Sequence, residues 1–309
     1  MSVDDGREPP PSVEIIEGDN LAAMASMPTG AFTLAYLDPP FNTGRMRERT
    51  VAGDDAGTTP ASVRPRDMQR GFHGRDYARV RELLGVYDDR FEDYWGFLEP
   101  RLLEAWRLLG AEGTLYLHLD YREAHYAKVA LDALFGRERF LNEIIWAYDY
   151  GAKSRRRWPT KHETILVYVK EPRGYLFDAD AVDREPYMAP GLVGAEKAAR
   201  GKLPTDVWWH TIVPTSGRER TGYPTQKPEG ILRRMIAAST RPGDAVLDPF
   251  AGSGTTGAVA AQLGRRAVLI DANPGAIEVM GRRMPAARVS RQAPPDAVPD
   301  TGTSAAVEA

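Results

Sequence analysis

Cysteine is absent from this chain of 309 residues. Disulfide bonds, metal sites built from thiolates and cysteine nucleophiles are therefore excluded. No stretch is long and apolar enough to cross a bilayer, and residues 1–6 lack the basic and apolar regions of a secretion signal. We therefore expect a soluble, cytoplasmic protein with no membrane partner.

An excess of positive charge is also lacking, because 40 lysines and arginines face 43 acidic residues and the formal net charge is −3. A protein with this balance can contact a polyanion only through local clusters of basic residues. Hydrophobic residues make up 42% of the chain, which is enough for one large domain with a smaller inserted one.

Four residues that suit binding of an aromatic amine, Asp38, Pro39, Pro40 and Phe41, follow the apolar run of residues 32–37. The run predicts a buried strand, so a carboxylate and a bare carbonyl are presented where the strand ends. Two such acceptors can bind both N–H bonds of the amine, and proline stiffens the turn that aims them. An aromatic face can stack a base taken out of a duplex. Alone, the tetrapeptide is equally typical of an ordinary turn.

A glycine-rich segment, residues 248–257, follows the apolar residues 245–247 and opens another apolar segment. Its glycines lie where a backbone approaches a cofactor closely, and Asp271, at the end of the next strand, can accept bonds from ribose hydroxyls. The pattern also matches a dinucleotide-binding fingerprint. Only about fifty residues follow it, too few for the second half of a dinucleotide fold. Asp248 indicates instead a site for a cationic amino group.

The order of three motifs gives the chain a resemblance to the β class of amino-methyltransferases acting on DNA. Residues 38–41, Thr225-Gln226-Lys227-Pro228 and residues 248–254 occur in the order of that class, and the resemblance covers residues 12–289. It implies an α/β fold: a circularly permuted, Rossmann-like methyltransferase with a seven-stranded, mostly parallel sheet. S-adenosyl-L-methionine is the implied cofactor, bound at the carboxyl ends of the strands.

The resemblance also implies the site residues. Asp38, Pro39, Pro40 and Phe41 are the expected catalytic residues. The expected cofactor contacts are Asp19 near the adenine, Lys227 at the carboxylate, and Asp38, Asp248, Phe250, Ala251, Gly252, Ser253, Gly254, Thr255 and Asp271.

The implied activity is direct, in-line methylation of N6 of adenine in double-stranded DNA after the base is flipped out of the helix. In this class an aspartate at the first motif position usually accompanies adenine, so methylation of cytosine N4 is the alternative. Methylation of cytosine carbon 5 needs a cysteine and is excluded. Two alternatives of other classes are a DNA-binding module without activity and a dinucleotide-dependent oxidoreductase.

Alternating strand and helix patterns support the implied fold. Helices are predicted over residues 94–109, 122–135 and 229–239, with a short one ending near Met27. Seven strands are predicted over residues 13–16, 32–37, 114–119, 143–147, 164–169, 245–247 and 267–270.

The predicted domain organisation has five parts. Residues 1–11 form a flexible N-terminus, and residues 12–170 and 224–289 form the catalytic domain with a mobile loop at 43–90. Residues 171–223 form a target-recognition insertion, and residues 290–309 form a disordered tail.

Basic residues outside the motifs predict contacts with DNA phosphates. The expected contacts are Lys153, Arg155, Arg156, Arg157, Arg218 and Arg220; a solvated loop is the alternative for the first four. A homodimer and a cognate restriction endonuclease stay open as partners, because no residue marks an interface. His118, Asp120 and His125 lack the spacing of metal ligands, so we read them as structural and expect no metal.

Overall fold

The computed structural model describes residues 12–41, 89–151 and 153–292. The predicted flexible N-terminus, the predicted mobile loop up to residue 88, and the predicted tail from residue 293 lie outside the described residues. The last two residues of the predicted loop, Asp89 and Arg90, begin a helix. No helix within the described residues has both the length and the apolar character needed to span a membrane.

Strands and helices alternate along most of the chain. The first half contains β1 (Val13–Glu17), α1 (Asn20–Ala25), β2 (Phe32–Leu37), α2 (Asp89–Leu108), β3 (Leu109–Leu119), α3 (Ala124–Phe135), β4 (Phe140–Ala147) and β5 (His162–Val169). The second half contains α4 (Ala195–Arg200), β6 (Val207–Trp209), α5 (Glu229–Ser239), β7 (Ala245–Asp248), α6 (Thr255–Gln262), β8 (Arg266–Asp271), α7 (Pro274–Arg283) and β9 (Arg288–Arg291).

The described strands form one sheet in the order β6-β4-β5-β3-β2-β7-β8-β1-β9. Strand β5 runs antiparallel to both of its neighbours, and every other pairing is parallel. The predicted α/β class and mostly parallel sheet are thereby confirmed.

The predicted count of seven strands is wrong, because two edge strands add to it. Strand β6 has three residues and β9 has four, which is too short for hydrophobic periodicity to reveal them. Strand β9 pairs with β1 and places Ser290 and Arg291 in the sheet, so the predicted tail begins too early. Strand β6 joins β4 from within residues 171–223, so part of the predicted insertion belongs to the main sheet.

Helices cover both faces of the sheet and bury two apolar layers. Leu98 of α2 and Leu131 of α3 pack with Leu37 and Leu117 on one face. On the other face, helices α5, α6 and α7 pack against the alternate residues of the same strands, such as Leu34. Because alternate side chains of a strand point to opposite faces, a strand covered on both sides reads as a continuous apolar run. This explains why the central strands were visible in the sequence.

The pairing of β2 with β7 decides where the two main motifs lie. Leu34 pairs with Val246 and Ala35 pairs with Leu247, and the two strands are parallel. The segments that follow them, beginning at Asp38 and at Pro249, therefore leave the sheet side by side at its carboxyl edge.

Candidate active site

A cleft opens at the carboxyl edge of the sheet, with a volume of about 410 Å³. The segments after β1, β2, β7 and β8 line it, together with residues from α2 and from the segment before α5. This volume is in the range of sites for small ligands. All four predicted catalytic residues line the cleft. So do the predicted cofactor contacts, with the exception of Gly254.

The backbone of the glycine-rich loop requires glycine at two positions. Gly252 and Gly254 have φ of +51° and +71°, in the left-handed region. A Cβ on Gly252 would lie 3.2 Å from the Tyr223 ring, whereas one on Gly254 would lie 2.7 Å from Met280 Cγ. Gly252 therefore shapes the cleft wall. Gly254 caps α6 and packs against α7, and its predicted contact with the cofactor stays a prediction.

Asp248 presents a buried carboxylate at the end of β7, and the residue is 2% exposed. Its Oδ1 accepts a bond from Phe250 N at 3.0 Å, and its Oδ2 accepts one from the Thr256 hydroxyl at 2.6 Å. Burial raises the pKa of this carboxyl to about 7, although those two hydrogen bonds oppose the shift. No salt bridge reaches it from the described residues, so its charge suits a cationic ligand.

Two further predicted cofactor residues hold backbone in place. Asp271 accepts bonds from Gly252 N at 2.9 Å and Asn273 N at 2.8 Å, and burial raises its pKa. Asp19 caps α1 through a 3.0 Å bond from Ala22 N. Because each carboxylate oxygen has more than one lone pair, both side chains can still accept a bond from a ligand.

A tie between the loops after β1 and β7 was not found from the sequence. Arg101 of α2 pairs with Asp19 at 2.8 Å and donates from Nε to Asn20 Oδ1 at 2.5 Å. Asn20 in turn donates to the Pro249 carbonyl at 2.7 Å. The hydrophobic periodicity of α2 predicted only which face of the helix is apolar. The one sequence signal for this tie was a cationic residue, Arg101, next to that face.

Lys227 lies between two carboxylates. Its Nζ is 3.2 Å from Asp38 Oδ1 and donates to Glu163 Oε2 at 2.7 Å. The same Nζ lies 4.7 Å from the centre of the Phe41 ring, within cation–π range. Thr225, two residues earlier, has φ of +61°, a strained conformation for a β-branched residue. The described structure thus places Lys227 against the predicted catalytic carboxylate as well as in the cleft.

Charges in this group are strongly coupled. Burial alone would lower the pKa of Lys227, but Asp38 and Glu163 raise it above its ordinary value. Burial opposes the charge of Glu163, yet Lys227 and His118 together hold its pKa well below the usual range. Burial raises the pKa of Asp38, with Lys227 and His118 partly offsetting that effect. Lys227 is therefore cationic and Glu163 anionic.

His118 and Tyr36 continue the polar group below the cleft. His118 Nδ1 lies 2.8 Å from the Tyr36 hydroxyl, and Nε2 lies 2.8 Å from Glu163 Oε2. Sequence reasoning missed Tyr36, His118 and Glu163 as members of one group. The signal that could have found them is a polar side chain within a buried strand, which needs a partner. Within the described ranges, no cluster of histidines and acids could hold a metal ion.

The predicted DNA contacts are exposed, and the four in the loop between β4 and β5 lie at the same edge of the sheet as the cleft. Strand β4 is parallel to β2, because both β3 and β4 are antiparallel to β5, so the β4–β5 loop leaves from the carboxyl edge. Lys153, Arg155, Arg156 and Arg157 lie in this loop. Arg218 and Arg220 lie in the segment that leads to Tyr223 in the cleft wall.

Comparisons with known proteins agree with this geometry. Residues 32–282 match the family model described as DNA methylase, for N6 and N4 methyltransferases. The DNA adenine methyltransferase YhdJ of Escherichia coli K12 is 30% identical over 284 residues, which cover 87% of this chain and 82% of that protein. TTHA0409 of Thermus thermophilus, solved with S-adenosyl-L-methionine, has a TM-score of 0.55 at 20% identity, covering 91% and 99% of the two chains.

The cytosine-N4-specific PvuII DNA methyltransferase shares the fold as well, with a TM-score of 0.57 at 14% identity. That likeness covers 91% of this chain and 97% of the PvuII enzyme. The resemblance seen in the motifs is confirmed by the family match, which covers most of the chain. The chain belongs to the DNA methylase family of N6 and N4 amino-methyltransferases.

Proposed function

We propose that this protein transfers the methyl group of S-adenosyl-L-methionine to N6 of adenine in double-stranded DNA. The observation that carries the proposal is the pairing of β2 with β7, which brings the amine-binding motif and the glycine-rich loop into one cleft. The aspartate at position 38 and the similarity to an adenine methyltransferase favour adenine.

The cleft residues fit the proposed cofactor. The buried carboxylate of Asp248 suits the ammonium of its methionine end, and Asp271 suits ribose hydroxyls. Phe250 and Asp19 also line the cleft, and the family resemblance places Asp19 near the adenine of the cofactor. When bound, S-adenosyl-L-methionine supplies a methyl group on a sulfonium, which is already a strong electrophile.

The catalytic residues act by binding and orienting the amine. Asp38 and the Pro39 carbonyl accept the two N–H bonds, which turns the nitrogen lone pair out of conjugation with the ring. Phe41 offers its face to the extruded base. Such positioning needs no covalent intermediate on the protein and no metal ion. It also explains why a carboxylate lies where a strand ends, held by a lysine.

Adenine and cytosine are distinguished by the product. The protein is incubated with unmethylated plasmid and S-adenosyl-L-methionine, and the DNA is digested to nucleosides for mass spectrometry. We expect N6-methyldeoxyadenosine. The two acceptors would bind the cytosine amine equally well. If N4-methyldeoxycytidine is the only methylated nucleoside, the target is cytosine N4 and not adenine N6. Absence of any methylated nucleoside, with a broad set of DNA substrates, would reject the proposal.

We further propose that the β4–β5 loop contacts DNA phosphates. Each such contact contributes about 0.9 to the slope of log affinity against log salt concentration. Replacing Arg156 and Arg157 by alanine should therefore weaken DNA binding and reduce that slope by about 2, measured by fluorescence anisotropy. The control is a double variant of Arg282 and Arg288, exposed residues away from the cleft edge. Equal slopes for the two double variants would contradict a phosphate contact.

Four finer expectations stay predictions. They are recognition of the DNA sequence by residues 171–223, a cytoplasmic location, a homodimer, and a cognate restriction endonuclease as partner. The oxidoreductase alternative loses its basis, because the family match assigns the glycine-rich loop to a methylase.

A further inference from the structure

A series of buried and partly buried polar groups connects to the amine-binding motif. It connects Tyr36, His118, Glu163, Lys227 and Asp38 through four contacts between 2.7 and 3.2 Å. These residues come from β2, β3, β5 and the segment before α5. The proposed mechanism uses only the last of them, so the presence of the others needs a reason.

Among these five polar residues, Glu163 is the one whose charge is costly to bury. Its side chain is 16% exposed, and the next inward residues of β5, such as Ile165, are buried and apolar. A carboxylate at such a site destabilises the fold unless it is paired. Its Oε2 faces Lys227 and His118, and its Oε1 accepts a 3.3 Å bond from the Tyr148 hydroxyl. Three side chains, from β3, from the segment after β4 and from the segment before α5, thus converge on one anion.

The position of the lysine shows what the anion does. Lysine has a flexible stem and a compact charge that can be drawn to any nearby acceptor. Glu163 Oε2 holds Nζ at 2.7 Å, and that position leaves Nζ 3.2 Å from Asp38 Oδ1. Because the lysine contacts Oδ1, the other oxygen of Asp38, Oδ2, would be left to accept a bond from a substrate amine.

We propose that Glu163 is a positioning residue for methyl transfer, which anchors Lys227 against Asp38 Oδ1 and so fixes the direction of Asp38 Oδ2. The proposal rests on the proposed role of Asp38 as an acceptor for the target amine. His118, hydrogen-bonded to Tyr36, places its Nε2 2.8 Å from the same Glu163 oxygen, Oε2. Asp38 is then an acceptor whose orientation depends on residues that do not touch the substrate.

Removing the charge of Glu163 should displace the Asp38 carboxylate, although a side chain of nearly the same shape still occupies position 163. Glutamine has nearly the same shape and can still accept a bond from Lys227, but it holds the ammonium far less strongly than a carboxylate does. Because a displacement of about 1 Å in a catalytic group can cost about 100-fold, we expect kcat of Glu163→Gln to fall about 10-fold to 100-fold. The KM for DNA should change little, and the KM for the cofactor should change less than kcat, because Lys227 and Asp38 are only two of the expected cofactor contacts.

The pH profile separates this role from a purely structural one. Asp38 and Glu163 both raise the pKa of Lys227 against the effect of burial. Loss of one of these anions lowers that pKa, so the lysine loses its proton at lower pH. The alkaline fall in kcat should therefore begin at lower pH in Glu163→Gln than in the wild type. Among the described residues, the ionisable groups that face Lys227 or its two carboxylate partners include Tyr36 from β2, Asp38 after β2, His118 from β3, Tyr148 after β4, Glu163 from β5 and Asp248 from β7.

The experiment compares the full chain with three variants. Glu163→Gln removes the charge, and Glu163→Asp keeps the charge but withdraws it from Lys227 by one methylene. Glu143→Gln makes the same change as the first on the exposed side of the neighbouring strand and serves as the control. For each protein, kcat is measured against pH, cofactor affinity by calorimetry, and the melting temperature by calorimetric scanning.

The proposal expects a lower kcat in both Glu163 variants, an alkaline limb displaced only in Glu163→Gln, and an unchanged control. Wild-type kcat in Glu163→Asp and Glu163→Gln overturns it. A lower kcat that follows a lower melting temperature, with the alkaline limb unmoved, also overturns it. If Glu163→Gln does not fold, wild-type kcat in Glu163→Asp decides against the proposal. An inactive wild type, or an active Asp38→Ala variant, would instead show failure of the proposed function.

Discussion

An Asp38→Asn variant is expected to transfer methyl groups about 10³-fold more slowly than the wild type, because it loses an acceptor made for the transition state. Asparagine keeps the shape of the side chain, and its oxygen can still face Lys227. Its amide nitrogen then points toward the target amine, so a donor meets a donor. The loss should appear in the single-turnover rate, measured with methyl-labelled cofactor.

Binding measurements decide whether that loss is catalytic. DNA affinity by fluorescence anisotropy should stay close to the wild-type value, because the basic loops are untouched. Cofactor affinity by calorimetry should fall far less than the rate, because Asp38 is only one of the expected cofactor contacts and Asp248 is untouched. Glu278→Gln makes the same carboxylate-to-amide change on an exposed part of α7 and should leave the rate unchanged. Should Asp38→Asn keep more than about a tenth of the wild-type rate, the assigned role of Asp38 would be wrong. An inactive wild type that still binds DNA would favour a non-catalytic module.

The sequence predicted long elements well and short ones poorly, for a physical reason. Strands buried on both faces read as continuous apolar runs, and the helix at residues 229–239 was found with its observed bounds. Strands β6 and β9 are too short for any period, and their pairing is decided by the neighbours they meet. Helix α7 carried a recognisable start, with Asn273 as its cap and Pro274 in the first turn, which could have predicted it.

The site residues also differ in whether a local sequence pattern reveals them. Asp38 and Asp248 were found because each follows an apolar strand, where a ligand can be reached. The contact of Glu163 with Lys227 joins residues 64 positions apart. The contact of Glu163 with His118 depends in turn on the antiparallel register of β3 with β5, in which His118 pairs with Ile165. Residues so far apart meet only after the sheet has assembled, so the pattern within either segment alone does not reveal their contact.

The second large effect is expected at Asp248, where one substitution should weaken cofactor binding and stabilise the protein without ligand. Truncating one partner of a buried charge pair costs about 2–5 kcal/mol. Asp248→Asn should therefore lower affinity for S-adenosyl-L-methionine by about 30-fold or more. Asparagine can still accept the bond from Phe250 N and donate to Thr256, so the loop should keep its shape.

The pH dependence of stability follows from the same carboxyl. Its pKa is about 7 in the folded protein, above the unfolded value near 3.9. The stability gained by protonating it in the folded state is fully present below about pH 4 and is lost as pH rises through 7. Asparagine cannot ionise and escapes that loss. At about pH 8 the unliganded variant should exceed the wild type by about 2–4 kcal/mol.

Cofactor binding should make the wild type more stable than Asp248→Asn. Because the ammonium requires an ionised Asp248, wild-type affinity should fall as pH drops below about 7, approaching one log unit per pH unit. Binding at that pH should also release a proton, which calorimetry in buffers of different ionisation enthalpy measures. Asp248→Asn should show neither effect, and saturating cofactor should restore the wild type to the higher melting temperature. Equal cofactor affinity in the two proteins would remove Asp248 from the site. If the stability difference between the wild type and Asp248→Asn did not change with pH, the carboxyl of Asp248 would not be the group whose ionisation burial opposes.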